Sequence, residues 1–295
     1  MFEGFTQTDI ETSGGARIRL KHGGSGPPLL LLHGNPLSHV SWHKIANRLA
    51  EHFHVVAADL RGYGDSSAPP TDERHAPYSF RAMAQDQVDV MEALGYKTFM
   101  VAGHDRGART AHRMSLDHPE RIQRAAFVDI LPSYHVWTHT SKNWATNSWH
   151  WVFMIQPYDF PERMMAAVPA EWYMEKKLGK KGIGLAPFTK EAFAEYVRCF
   201  NWKTIHASCE DYRACATIDF ELDEADYKAG NKVKCPTLVV WGADSHTGKV
   251  YKDVLDIWRD RIAGEVTGGP IACGHYVPEH APDELFGWFM RFFKG

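Results

Sequence analysis

The chain has 295 residues, of which 44% are hydrophobic and 23% are charged, so it has the length and balance of a globular protein with a large core. Its net charge of −3 arises from interspersed charges of both signs, which predicts neither a nucleic-acid partner nor a polybasic membrane patch. No apolar run approaches the ~18 residues of a membrane span, and the first residues lack a signal-peptide pattern. The five cysteines are odd in number and lack zinc-type spacing, which favours reduced thiols and a cytoplasmic location.

The first part of the chain alternates strand and helix patterns. Residues 1–27 alternate polar and apolar side chains between glycine pairs, which predicts an opening antiparallel pair of strands. Residues 28–32 form a continuous apolar run, as expected for a strand that is buried on both faces. The next predicted elements are a helix over 41–52, a strand over 53–58, a loop over 68–77 and a helix over 80–94.

Residues 103–107, with the sequence GHDRG, follow an apolar strand at 99–102 and precede a helix-compatible stretch at 108–118. A strand, a Gly-x-acid-x-Gly turn and a helix form the context of the nucleophile elbow, which exposes its central residue to a pocket. That residue is serine in serine hydrolases, and here it is Asp105. A carboxylate attacks carbon without an activating base and leaves an ester, so the turn predicts displacement at an alkyl carbon. The alternative is an ordinary turn with an aspartate near a helix start.

The strand pattern is interrupted after the next predicted strand, 125–128. Residues 134–228 are helix-compatible and dense in aromatic side chains. Strands resume at 235–242 and 265–266, and a helix at 283–293 closes the chain. The alternation predicts an α/β fold, a mostly parallel sheet with helices on both faces and an inserted helical cap. We predict a core of residues 1–132 and 232–295 and a cap of residues 133–231.

Turnover of an aspartyl ester needs a base that activates water and an acid that orients the base. His275 follows a glycine in the loop before the last helix, where the fold places that base. Asp129 and Asp244 each follow a predicted strand, and both strand ends point at the catalytic face. The spacing alone does not choose between these two acids.

Two further features surround the turn. The backbone N–H groups of Arg106 and Asn35 are the expected donors to a tetrahedral oxyanion, because Pro36 has no N–H. Arg109 lies one helical turn beyond Arg106, so the two guanidinium groups can form a clamp for a carboxylate. Equally, Arg109 can lie on the solvated face of the helix.

At these residues the chain resembles the fluoroacetate dehalogenases, in the epoxide hydrolase and dehalogenase branch of the α/β hydrolases. The resemblance spans essentially the whole chain. It is strongest in the stretches GHDRGAR at 103–109, SWHW at 148–151 leading into QPYDFP at 156–161, and CEDYRA at 209–214. The last two lie in the predicted cap and are more specific than the turn, which many hydrolases share.

The resemblance implies hydrolytic dehalogenation of fluoroacetate or chloroacetate by a homodimer without a cofactor or metal. It implies that Asp105 is the nucleophile, that His275 activates water and that Asp129 rather than Asp244 is its partner. The implied substrate-binding residues hold the carboxylate or the departing halide, and they are Arg106, Arg109, His150, Trp151 and Tyr212. Imidazole N–H, indole N–H and phenol O–H groups are suitable donors to a departing fluoride, which needs strong hydrogen bonds.

Asn35 departs from the fluoroacetate dehalogenases, in which an aromatic residue is more usual. The sequence HGNP at 33–36 is closer to the haloalkane dehalogenases, in which that asparagine binds the halide, so chloride can be the preferred leaving group. An epoxide hydrolase would share the nucleophile and base but typically uses two cap tyrosines, of which only Tyr212 can be placed. A third alternative is a non-catalytic receptor for a small acid.

Overall fold

The computed structural model describes residues 1–180 and 182–295, and their central feature is an eight-stranded sheet with strand order β1-β2-β4-β3-β5-β6-β7-β8. In this order, every adjacent pair from β4 to β8, including the pairs that β3 forms with β4 and β5, is parallel. Strand β2 is antiparallel to β1 and to β4. The strands are β1 (Thr6–Glu11), β2 (Arg17–Gly23), β3 (Pro28–Leu32), β4 (His54–Ala58), β5 (Phe99–His104), β6 (Ile122–Val128), β7 (Thr237–Gly242) and β8 (Val266–Ile271). The predicted α/β fold with a mostly parallel sheet is confirmed.

Helices cover both faces of this sheet and also fill the interval between β6 and β7. Two short 3-10 segments, His39–Trp42 and Ala76–Tyr78, accompany them. The helices are α1 (Ala46–Ala50), α2 (Phe80–Ala93), α3 (Arg106–Asp117), α4 (Ser133–Thr138), α5 (Lys142–Asn147), α6 (Trp149–Met154), α7 (Phe160–Ala166), α8 (Ala170–Leu178), α9 (Lys190–Cys199), α10 (Trp202–Ala216), α11 (Ile218–Ala229), α12 (His246–Val250), α13 (Val254–Arg259), α14 (Val277–His280) and α15 (Pro282–Lys294).

The apolar run of β3 shows how the sheet is buried on both faces. Leu30 and Leu32 pack into the core formed with α2 and α3, whereas Leu29 and Leu31 pack into the core formed with α1 and α15. All four leucines are fully buried, because successive side chains of a strand point to opposite faces. Because β3, β5, β6 and β7 run parallel, their carboxyl ends lie at one edge of the sheet. The loops that follow these ends carry polar residues.

Two sequence predictions differ from the structure in extent. The helix predicted over 41–52 is instead divided into the 3-10 segment His39–Trp42 and α1. Between these two elements, Lys44 Nζ donates to the carbonyl of Glu279 at 2.7 Å. The strand predicted at 265–266 continues to Ile271 through two glycines and a proline, residues of low strand propensity. A Cβ at Gly268 would lie 1.7 Å from the Val239 carbonyl oxygen, so the close approach of β7 requires glycine there.

Helices α4–α11 lie between β6 and β7, and we call residues 133–231 the cap segment. Helix α10 attaches it to the core, because Tyr63 Oη donates to Asp211 at 2.7 Å and Lys203 Nζ donates to the Gly64 carbonyl at 2.8 Å. In the described residues, no helix is both long and apolar enough to cross a bilayer.

Candidate active site

Asp105 occupies the tip of the turn between β5 and α3. Its φ of 49° and ψ of −117° are a strained conformation for a residue with a side chain, as expected at a functional turn. A Cβ at Gly103 would lie 2.3 Å from the Gly107 carbonyl oxygen, and one at Gly107 would lie 2.4 Å from that of His33. Only glycine permits this close packing, and it leaves Asp105 at the wall of a cavity with 8% of its surface exposed.

His275 lies beside this carboxylate and is held by Asp129. His275 Nδ1 and Asp129 Oδ2 are 2.5 Å apart, and Nε2 is 3.7 Å from Asp105 Oδ2. The second oxygen of Asp129 accepts hydrogen bonds from Gly242 N at 3.0 Å and from Ser245 Oγ at 2.6 Å. These bonds fix the carboxylate, so Nδ1 is bound to Asp129 while Nε2 faces Asp105. The geometry thus places Asp105, His275 and Asp129 in one row.

Asp244, the other candidate acid, is far more exposed. Its side chain is 72% exposed and pairs with Lys249 at 3.3 Å. The Asp129 carboxylate, by contrast, is 1% exposed and contacts the imidazole of His275. The structure therefore brings Asp129, and not Asp244, to the histidine.

The environment of Asp105 favours its ionised form. Burial raises the pKa of this carboxyl group, but the neighbouring imidazole of His275 and the charges of Arg106 and Arg109 outweigh burial and hold the pKa below its usual range. The 3.7 Å between His275 Nε2 and Asp105 Oδ2 is longer than a hydrogen bond. Asp105 is thus an ionised carboxylate at neutral pH, and the imidazole remains available for another partner.

The loop after β3 contacts Asp105 through its backbone. Asn35 N donates to Asp105 Oδ1 at 2.9 Å, and Arg106 N, at the first position of α3, has no acceptor within the helix. The side-chain amide of Asn35 is directed elsewhere: Nδ2 donates to Ser208 Oγ at 3.1 Å and to Tyr63 Oη at 3.4 Å. These bonds occupy both amide hydrogens, so the side chain is not positioned as a halide donor.

The two arginines of α3 differ in their partners. Arg109 is 5% exposed and lines the cavity, where Nη1 donates to the Leu131 carbonyl at 3.0 Å and to Ser133 Oγ at 2.8 Å. Arg109 therefore does not lie on a solvated helix face. Its guanidinium also stacks on the Trp151 ring at 4.7 Å, which fixes its plane.

Arg106 is fully buried and its fork is bound to Asp211. Nε donates to Asp211 Oδ2 at 2.9 Å, and Nη2 donates to Oδ1 and to the backbone carbonyl of the same residue. Only Nη1 lacks a hydrogen-bond partner among the residues that the structure describes. Arg109 therefore offers the cavity a charge, whereas the Arg106 fork is already engaged and leaves only Nη1 unpaired. Asp211 follows 105 positions later, so no local pattern signals this pairing.

His150 and Trp151 on α6 meet Tyr212 on α10 at the cap side of the cavity. The rings of His150 and Trp151 each have their centroid 5.8 Å from that of Tyr212. Neither Trp151 Nε1 nor Tyr212 Oη has an acceptor within residues 1–180 and 182–295. Burial, followed by the charge of Lys177, lowers the pKa of His150 well below its usual value, so the ring is neutral. Three neutral donors thus converge on one wall.

The cavity has a volume of about 1360 Å³. Sequence reasoning did not single out Lys177 and Ser245, which line the cavity, or His104, which contacts His275 behind it. His104 Nε2 lies 2.8 Å from the His275 carbonyl oxygen, and burial lowers the pKa of His104 to about 4, so Nε2–H donates. The position of His104 next to Asp105 was an available signal, whereas the local sequence around Lys177 and around Ser245 offers none.

One cluster outside the cavity has the residue types of a metal site. The ligand atoms of Glu162, His206 and Glu210 lie within 4.8 Å of one another. Arg213 Nη1, however, donates to both carboxylates at 2.7 Å. The Arg213 guanidinium therefore already occupies these carboxylates, and a metal ion would have to displace the guanidinium.

Comparison with known proteins assigns the family. Residues 27–282 match the family model described as the alpha/beta hydrolase fold. The chain is 41% identical over 287 residues to a fluoroacetate dehalogenase of Burkholderia, covering 96% of this chain and 92% of the relative. It is 30% identical to a soluble epoxide hydrolase of Corynebacterium, covering 95% and 94%. A solved structure from Nostoc, provisionally assigned as an α/β hydrolase, is 50% identical with a TM-score of 0.94 and covers 99% of each chain. The predicted class of enzyme, a hydrolase, is confirmed, and the chain belongs to the α/β-hydrolase superfamily, in the branch that contains fluoroacetate dehalogenase.

Proposed function

We propose that the chain hydrolyses haloacetates to glycolate and halide through an ester on Asp105. The observation that carries this proposal is an ionised carboxylate, Asp105, at the wall of a cavity that also holds a guanidinium and three neutral hydrogen-bond donors. A neutral substrate would give the Arg109 charge no partner. The 41% identity to a fluoroacetate dehalogenase supports the same substrate class.

In the first step the substrate carboxylate binds Arg109 and the unpartnered Nη1 of Arg106. An oxygen of Asp105 then forms a bond to the carbon that carries the halogen, and the electron pair of the breaking bond leaves with the halide. Oδ2 is the attacking atom, because Oδ1 accepts the Asn35 N–H. Trp151, Tyr212 and His150 donate to the halide, where preorganised donors stabilise developing charge without reorganisation.

In the second step water hydrolyses the ester. His275 Nε2 takes the proton of a water that attacks the Asp105 carboxyl carbon, and Asp129 stabilises the resulting imidazolium. The N–H groups of Asn35 and Arg106 hold the oxyanion. Collapse of the intermediate releases glycolate and restores the Asp105 carboxylate.

We further propose that fluoride is an accepted leaving group. The amide of Asn35, the residue that suggested a different halide site, is bonded to Ser208 and Tyr63. The halide would then meet the cap donors Trp151, Tyr212 and His150 rather than the Asn35 amide. Fluoride concentrates its charge and gains most from such donors.

An epoxide hydrolase is the second candidate, because a second cap tyrosine lies at the cavity. Tyr173 lines the same cavity as Tyr212 and stacks on Phe200 at 4.6 Å. Two tyrosines could protonate an epoxide oxygen, and a relative with that activity is 30% identical. A non-catalytic receptor for a small acid is the third candidate, although it would not need the contact between His275 and Asp129.

The test is halide release from fluoro-, chloro- and bromoacetate, with styrene oxide assayed in parallel for diol. We expect halide from wild type and none from Asp105→Asn. Diol formation without halide release would favour the epoxide hydrolase. Absence of both products would favour the receptor.

The assembly and location are also proposals. We infer a homodimer, and exposed apolar side chains on α6 and α7 offer a surface for it, with Trp149, Phe160 and Met164 each more than half exposed. Sedimentation velocity at micromolar concentration tests this inference, and a monomer would contradict it. Free thiols at all five cysteines support a cytoplasmic location.

A further inference from the structure

The cavity contains a cation that the reaction above does not use. Lys177 on α8 lines it together with Asp105 and His150. Within the described residues, Lys177 has neither a carboxylate partner nor a hydrogen-bond acceptor. A partly buried ammonium without a partner is costly, because burial disfavours its charged form. Such a group points to an anion that is supplied from outside the chain.

The position of Lys177 separates it from the first carboxylate site. Arg109 approaches Asp105 from α3 in the core, whereas Lys177 belongs to α8 in the cap segment. Burial lowers the pKa of Lys177 to about 8, and the charge of Asp105 opposes this shift. The same ammonium also lowers the pKa of His150. Lys177 thus belongs to a different wall of the cavity than Arg109.

The size of the cavity leaves room for a longer substrate. Its volume of about 1360 Å³ greatly exceeds that of a haloacetate, which has four heavy atoms besides the halogen. Neighbouring lysines are engaged or exposed: Lys176 lies over the Trp172 ring at 5.8 Å, and Lys180 over Tyr276 at 5.6 Å. All three lysines line the cavity, and Lys177 is the least exposed of them.

We propose that Lys177 forms a second anion subsite, which binds the distal carboxylate of a halogenated dicarboxylic acid such as a 2-halosuccinate. This inference rests on the proposed function and names a substrate class for the same site. Arg109 holds the carboxylate next to the halogenated carbon, and Lys177 holds the other. Asp105 displaces the halide at that carbon, and water supplies the hydroxyl group, so the products are hydroxysuccinate, halide and a proton.

The test compares 2-chlorosuccinate with 2-chlorobutanoate, which has a tail of nearly equal length without the second charge. We expect wild type to prefer the diacid in kcat/KM by about ten-fold, the equivalent of one ion pair of ~1.4 kcal/mol. Lys177→Gln should abolish that preference and change chloroacetate turnover little. Lys177→Arg should retain most of it, and the matched control Lys176→Gln should retain all of it.

Several outcomes would overturn the subsite. Wild type that shows no preference for the diacid contradicts it directly. Equal losses on all three substrates in Lys177→Gln would mean that Lys177 assists the halide or the common carboxylate. Equal losses in Lys176→Gln and Lys177→Gln, both abolished by salt, would mean long-range steering instead. If wild type released no chloride even from chloroacetate, the proposed function would fail before the subsite is tested.

Discussion

The close contact between Gly34 and the nucleophile gives the sharpest prediction of the structure. A Cβ at position 34 would lie 2.5 Å from Asp105 Cβ and 2.7 Å from Asp105 Oδ1. Carbon atoms in contact are ~3.5–4.0 Å apart, so Gly34→Ala must displace the nucleophile by roughly 1 Å. A displacement of that size costs ~10²-fold in rate. Gly34 itself has no left-handed φ, so alanine adds the clash without backbone strain.

Chloride release from chloroacetate measures this effect, and thermal unfolding reports the fold separately. We expect Gly34→Ala to retain a cooperative transition and to lose ~10²-fold in kcat. Gly269→Ala is the matched control, because its added Cβ would lie 3.7 Å from the nearest atom of Trp288, an ordinary contact. If Gly34→Ala keeps wild-type kcat, the position of Asp105 in the structure is not the reactive one.

Three further predictions concern the acid, the cap donors and an ion-pair network inside the cap segment. Asp129→Asn should slow ester hydrolysis by up to ~10⁴-fold, whereas Asp244→Asn should slow it little. If both variants fold and Asp244→Asn is the slower, Asp244 rather than Asp129 is the acid. Trp151→Phe should lower the rate on fluoroacetate by ~10²–10³-fold and the rate on chloroacetate clearly less. Equal losses on both substrates would mean that Trp151 does not act as a hydrogen-bond donor to the halide. Arg213→Met should lower the free energy of unfolding in urea by ~3–5 kcal/mol, because the buried carboxylates of Glu162 and Glu210 lose the guanidinium that they share. The exposed pair of the control Arg259→Met should contribute at most ~1 kcal/mol, and similar values for both variants would contradict the importance of the buried network.

The sheet and the turn could be predicted because their signals are local. The apolar run at β3 and the glycines around Asp105 each act on their immediate neighbours. The partner of Arg106 could not be predicted, because Asp211 reaches it from the cap segment through folding alone. The same holds for Ser245, whose hydroxyl orients Asp129 across 116 positions.

The choice of acid and the place of Asn35 show a second limit. Both Asp129 and Asp244 follow strands, so the pattern was ambiguous, and only the contact with His275 separates them. Asn35 was ambiguous because one residue carries two donor groups. Its backbone N–H contacts Asp105, while its amide contacts Ser208 and Tyr63, and a sequence motif does not distinguish these orientations.

The covalent ester on Asp105 is the central claim, and His275→Asn tests it most directly. Without the imidazole, the first step should proceed and the second should stall, so about one halide per site should be released. Mass spectrometry of the variant after incubation with chloroacetate should then find a carboxymethyl group on the peptide that contains Asp105. Halide release that continues to many turnovers, or an unmodified Asp105 peptide after the burst, would contradict the mechanism.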